Sequence, residues 1–211
     1  MKPLLLLALS ITILFTSSCA QNKPGNDIRV GDRCEDCEAI YESPVPFEQL
    51  PNMVWLSDWE QKGRKLAVNG TVFRPDGSRA ANVVIYIYHT DSTGVYPTKG
   101  DEKGIAKKHG YLRGWMKTNE LGEYKFFTLR PGSYPEGNNP AHIHAIIKEP
   151  GKTEYWIDDY LFDDDPLLGE KERKKLQNRG GNGILAIKDV GNMIKAERNI
   201  YLGKNIPNYS N

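Results

Sequence analysis

Leu66-Ala67-Val68-Asn69-Gly70-Thr71-Val72-Phe73, then Arg74-Pro75-Asp76-Gly77, then Val83-Val84-Ile85-Tyr86-Ile87-Tyr88 is the stretch that decides the fold. The first run reads as a strand and Pro-Asp-Gly as a tight turn. The second run, dense in β-branched and aromatic side chains, reads as another strand. Working downstream, 123–129 (Glu-Tyr-Lys-Phe-Phe-Thr-Leu) alternates and predicts a third strand, and 142–148 is apolar enough to be a buried fourth. Ile184-Leu185-Ala186-Ile187 and the run from Ile194 to Tyr201 predict a closing hairpin. No long helical periodicity appears, and Gly and Pro separate the short strands. The expected class is all-β, a β-sandwich over 61–211. The segments 91–115 and 158–183 read as long connections, where a rigid sandwich usually carries its site.

Working upstream, Met1-Lys2 is a short basic start, Leu4 to Phe15 is apolar, Thr16-Ser17-Ser18 are small, and Cys19 follows. Residues 1–18 are expected to be a lipoprotein-type signal, too short for a spanning helix with flanks of its own. Cys19 would then carry lipid and tie an exported chain to a membrane, on the periplasmic or cell-surface side of a bacterial envelope. Residues 19–60 read as a tether and an N-terminal arm, extended by Pro44, Pro46 and Pro51, with a short turn near Trp55 and Trp59. Within it Cys34 and Cys37 form a Cys-x-x-Cys pair. With no second pair and no βαβ pattern, a local disulfide stapling the arm is expected rather than a redox or zinc motif. The net charge is +1 and no basic stripe carries interleaved aromatics, which argues against a nucleic-acid partner. The charged run 171–175 reads as a solvated face, and Asp163-Asp164-Asp165, lacking EF-hand spacing, as a solvated acidic turn.

Chemistry concentrates in Tyr134-Pro135 and Pro140-Ala141-His142-Ile143-His144. Alternate residues of a strand share a face, so His142 and His144 project together, with the Tyr134 phenol nearby. Taken alone this is half of a metal site that suits zinc, copper or no metal at all. Tyr96, in the turn Asp91-Ser92-Thr93-Gly94-Val95-Tyr96-Pro97, offers a second phenol. Tyr111 and Trp115 are candidates to line an aromatic cavity.

The order Asp-x-x-Gly-x-Tyr, then Thr118 to Phe126, then Pro-Gly-x-Tyr-Pro, then Pro-Ala-His-Ile-His resembles the intradiol ring-cleavage dioxygenases. The resemblance runs from about Val68 to Ile147, with a weaker echo at Tyr160-Leu161-Phe162 and Asp165-Pro166. It implies a β-sandwich in which Tyr96, Tyr134, His142 and His144 hold one non-haem Fe(III). It also implies a small aromatic diol of the catechol type and O2 as substrates, and a muconate-type diacid as product. Tyr134 would be the axial phenolate that leaves and takes a substrate proton, and His144 the other axial ligand. Tyr96 and His142 would lie in the equatorial plane. The donor set suits a hard trivalent ion, because two phenolates and a hydroxide offset three positive charges. Two positions depart from the family pattern. Asn139 stands where an arginine is usual, three residues before the first histidine, and Asp159 stands where a glutamine is usual. Arg113 is the candidate replacement cation.

Overall fold

The computed structural model describes residues 26–56 and 62–210; Cys19 and Trp59 fall outside them. In chain order the strands are β1 (Met53–Trp55), β2 (Lys65–Phe73), β3 (Val84–Tyr88), β4 (Arg113–Lys117), β5 (Glu123–Leu129) and β6 (His142–Lys148). They continue with β7 (Tyr155–Phe162), β8 (Ile184–Leu185), β9 (Lys188–Val190), β10 (Met193–Glu197) and β11 (Ile200–Tyr201). Two short helices, α1 (Ala106–His109) and α2 (Glu170–Lys175), interrupt the long connections. One sheet runs β1-β5-β2-β10-β9, with β11 also on β2; the other runs β4-β3-β6-β7-β8. Among the described residues no helix is long and apolar enough to cross a membrane.

The period-2 pattern explains the layering. From β3, Ile85 and Ile87 enter the core between the sheets, where they meet Leu66, Val68, Phe126 and Ile143. The intervening Val84 and Tyr86 point to the outer face of the second sheet. That face is covered as well. The 3-10 turn Cys37–Glu42 lays Ala39 and Ile40 on Tyr86, Trp115 and Ile146, and the indole N–H of Trp115 donates to the Ile40 carbonyl at 2.8 Å. Each fully buried large side chain of this kind stabilises the fold by roughly 1.5–3 kcal/mol. The arm is therefore the second sheet's outer layer rather than an extended appendage. Cys34 and Cys37 are disulfide-bonded at its start, as expected.

Several sequence expectations need correction. Ile184-Leu185 does not form a hairpin with the last long strand. It pairs parallel to β7 in the second sheet, and the closing hairpin is β9–β10 in the first. The connection 91–115 contains α1 and the start of β4, and 158–183 begins inside β7 and holds α2. The region near Trp55 is a strand on β5 instead of a turn.

One irregularity positions the site. Between β6 and β7, Ile143 faces Tyr160 but Ala145 faces Ile157, so the single residue His144 lies opposite both Asp158 and Asp159. This is a β-bulge, which re-aims side chains locally.

Candidate metal centre

His142 and His144 lie on the outer face of β6, beyond the patch that the arm covers. Their neighbours on the inner face, Ile143 and Ala145, are buried in the core. Two turns bring the phenols over them. The Tyr96 turn is held by Asp91, whose Oδ1 accepts from the Thr93 hydroxyl and from the backbone N–H groups of Thr93 and Val95. The Tyr134 loop is tied to it by Gly132 N–H donating to the Asp91 carbonyl at 2.8 Å. Gly94, at φ +81°, packs so closely on the Ser133 backbone that a Cβ there would sit 1.9 Å from the Ser133 oxygen.

Four donor atoms converge. The Tyr96 and Tyr134 hydroxyls are 2.7 Å apart, and His142 Nε2 and His144 Nε2 are 3.2 Å apart. Tyr134 Oη lies 3.2 Å from His142 Nε2 and 3.3 Å from His144 Nε2, and Tyr96 Oη lies 3.0 Å from His144 Nε2. Ligands about 2 Å from an ion in a tetrahedral arrangement stand roughly 3.3 Å from one another, so the cluster has the dimensions of a first-row metal site. Both histidines have their other nitrogen engaged: His142 Nδ1 donates to the Pro140 carbonyl at 2.7 Å and His144 Nδ1 to Asp159 Oδ1 at 3.0 Å. That fixes both tautomers with Nε2 free to ligate.

The groups resist charge on their own. Burial, then the hydrogen bond and field of Tyr134, push the Tyr96 phenol far above its usual value. Burial also raises Tyr134, and burial together with His144 lowers His142. Burial pushes the Asp159 carboxyl up, but the adjacent His144 outweighs this and holds it below the usual range. A phenol this reluctant to ionise becomes phenolate only beside a strong cation, which reverses the local proton balance. Two such oxygens and two imidazoles fit a hard ferric ion.

A cavity of ≈ 790 Å³ opens over these atoms, walled by Arg33 to Asp36 of the arm, by Tyr88 and His109, and by Asn139. Tyr88 lies opposite His144 in the β3–β6 register and stacks on its ring, with centroids 4.5 Å apart. On its other side it stacks on His109 at 3.5 Å. His109 bonds the Tyr86 hydroxyl at 2.8 Å. His89 is fully buried, its Nδ1 donating to the Thr90 carbonyl while Nε2 accepts from the Thr128 hydroxyl. His89 is thus held away from the cavity, while His109 stands in its wall.

The model of the dioxygenase family matches residues 45–174. The chain belongs to the intradiol ring-cleavage dioxygenase family. It is 29% identical over 131 residues to the protocatechuate 3,4-dioxygenase beta chain of Burkholderia cepacia, covering 59% of this chain and 55% of that one. It is 32% identical over 119 residues to catechol 1,2-dioxygenase 1 of Acinetobacter lwoffii, covering 49% of this chain and 37% of that one. The chain thus spans about half the length, or less, of these two relatives. Among solved structures, the dioxygenase domain of a dioxygenase carbohydrate-binding protein fusion from Streptomyces sp. SirexAA-E superposes with TM-score 0.57 at 21% identity, covering 70% of this chain and 85% of that one. The 3-chlorocatechol 1,2-dioxygenase of Rhodococcus opacus 1CP gives 0.55 at 20%, covering 72% and 64%. Both likenesses support the sandwich fold.

Within this intradiol frame, Tyr96, Tyr134, His142 and His144 lie together, and Arg113 does not join them. Its guanidinium pairs with Glu42 at 2.8 Å and lies over Trp115, in a separate hollow with Tyr111 and Lys99. Trp115 and Tyr111 line that hollow too, not the cavity over the four donors. Asp159, which the sequence marks only as a departure, is the partner of His144. Tyr88 and the arm's wall were missed, because strand register and arm docking leave no local sequence signal.

Proposed function

We propose that the chain is a non-haem Fe(III) dioxygenase that opens a catechol-type diol between its hydroxylated carbons, adding both atoms of O2 to give a muconate-type diacid. The observation that carries this reading is the convergence of two phenols and two Nε2 atoms at 2.7–3.3 Å in a chain of this family. When bound there, ferric iron supplies chelation of both diol oxygens and draws electron density from the ring so that it reacts with O2. The chain's own groups do the rest. Tyr134 Oη, half-buried at the cavity floor, is placed to accept a diol proton. Asp159 and the Pro140 carbonyl hold the two imidazoles in register. The cavity walls orient the ring and limit water.

Purified protein should carry about one iron per chain, absorb in the visible from phenolate-to-iron charge transfer, and consume O2 with catechol, protocatechuate or hydroxyquinol. Tyr134→Phe should bleach or shift the colour. A colourless protein that takes up no ferric iron would sink the reading. Asn139 and Asp159, which replace a cation and a neutral amide in the family pattern, favour a second reading: an exported ferric-iron- or ligand-binding sandwich without ring cleavage. Iron and colour with no O2 uptake on any diol would select it. The apolar run from Leu4 to Phe15, followed by Thr16-Ser17-Ser18 and Cys19, supports export and lipid anchoring. Cys19→Ala should then move the protein from the membrane to the soluble fraction, whereas wild-type protein free in the cytoplasm would refute the anchor.

A further inference from the structure

The cavity walls carry more negative charge than positive. Five carboxylates line it, from Glu35 and Asp36 on the arm, Asp158 and Asp159 at the bulge, and Glu172 on α2. The lining cations are Arg33, Lys108 and Lys175. Two of these are already engaged by carboxylates of the same walls, Lys108 with Asp36 at 2.8 Å and Lys175 with Glu172 at 2.7 Å. Arg33 is exposed and stands two residues from Glu35. The carboxylates deepest in the cavity have no lining cation paired with them, and the buried Arg198 guanidinium, which donates to the Asp158 carbonyl at 2.6 Å, offsets part of their charge from outside the lining. Asp158 is 6% exposed and takes the Asn178 N–H, and Asp159 takes His144 Nδ1–H. Among the described residues neither forms an ion pair with lysine or arginine. Asn139 adds no charge.

The bulge produces this concentration. A regular strand would send one of two successive side chains to the core; here both Asp158 and Asp159 line the cavity beside a metal ligand. A diol bound in this cavity of ≈ 790 Å³ shares its walls with these carboxylates. At ~8 Å and an effective dielectric constant of ~20, one pair of unit charges unscreened by salt changes binding by a factor of about thirty.

We infer that this cavity sorts diols by the charge of their ring substituent, admitting neutral and amine-bearing catechols and disfavouring carboxylate-bearing ones, with Asp159 as the specificity-determining residue. The inference rests on the proposed diol chemistry. It is tested on ferric-loaded full-length protein with three probes, 4-methylcatechol, dopamine and protocatechuate. Equilibrium dissociation constants come from visible titration, beside kcat and KM. Dopamine and 4-methylcatechol should bind at least about tenfold more tightly than protocatechuate at low salt, with the gap closing as salt is added. Asp159→Asn keeps an acceptor for His144 Nδ1–H and removes the charge, so it should narrow the gap several-fold and do so in KM more than in kcat. Glu35→Gln, on the exposed arm, should narrow it in the same direction by less, and serves if the Asp159 variant fails to fold. Protocatechuate binding as tightly as 4-methylcatechol, or a gap unmoved by both substitutions, would overturn the inference while leaving the diol reading intact. Ferric protein that binds none of the three would instead remove the diol reading on which it stands.

Discussion

Replacing Gly94 by alanine should damage the metal centre without touching any ligand. Gly94 has φ +81°, and an added Cβ would lie 1.9 Å from the Ser133 oxygen and 2.7 Å from the Ser133 carbonyl carbon. Real Cβ contacts under 3.0 Å essentially never occur, so the Tyr96 turn and the Tyr134 loop must part by about 1 Å. The left-handed backbone costs a non-glycine residue roughly 1–2 kcal/mol. The forced separation adds about 1–3 kcal/mol, as overpacking generally does. Together they amount to about 3 kcal/mol, a substantial part of the ~5–15 kcal/mol that holds a domain together. The functional loss should be larger in proportion, because the 2.7 Å spacing of the two phenol oxygens depends on this contact. Urea unfolding measures the first quantity; iron per chain and the visible band measure the second. Gly77→Ala is the control. Gly77 has nearly the same φ, +83°, but nothing within 4 Å of the added carbon, so it should lose only the backbone part and keep its iron. A Gly94→Ala protein as stable as the Gly77→Ala protein, with full iron and an unchanged band, would refute the reasoning.

Other consequences are open to measurement. His89 is held down to about 4 by burial, so the folded protein resists protonating it while the unfolded chain takes up a proton near pH 6.5. This group therefore stabilises the fold above pH 6.5 by about 3 kcal/mol, a contribution lost progressively as pH falls towards 4. His89→Gln should flatten the pH dependence of urea stability in that window; an unchanged slope would count against it. Trp115→Phe leaves the Ile40 carbonyl without its 2.8 Å donor and should cost about 1–3 kcal/mol, with faster hydrogen exchange confined to 37–50. Uniform exchange would show that the arm is not held there. The Cys34–Cys37 bridge spans a sequence separation of 3, so loop entropy limits its worth to about 2 kcal/mol, and Cys34→Ser should lower stability by no more than that.

The strands that were legible in sequence are those with a period of two or a compact apolar run between turn residues. β5 and β6 were bounded to the residue, β5 because it alternates and β6 because it is a compact apolar run between turn residues, buried on both faces over its second half. β7 was not legible, and its own chemistry explains why. Ile157, Asp158, Asp159 and Tyr160 break the alternation, and two adjacent acids read as loop. The pairing partner that makes them a bulge is fifteen residues away in the chain. The arm was misread for a related reason: its prolines describe local backbone, while its docking depends on Trp115, Tyr86 and Ile146 from three separate strands. Tyr96, Tyr134, His142 and His144 were visible because they stand in the short motifs that carry the family resemblance. Arg113 is an arginine of a long connection whose destination no local pattern reveals, and β4 carries that side chain to Glu42 instead.

The bulge opposite His144 also bears on how such a centre changes over generations. In a regular strand each side chain is either committed to the core or exposed on the far face, and a shift of one position exchanges the two sets. The extra residue in β7 lets Ile157 and Tyr160 remain in the core while positions 158 and 159 escape that alternation. Mutations at position 159 are thus uncoupled from the core, and the charge beside His144 can drift while the sandwich stays intact. Deletion of one of the two acids would restore a regular strand, keep Ile157 and Tyr160 in the core and leave a single acid opposite His144. The locus tolerates changes of letter, and the loss of one residue there would remove an acid without turning the strand over.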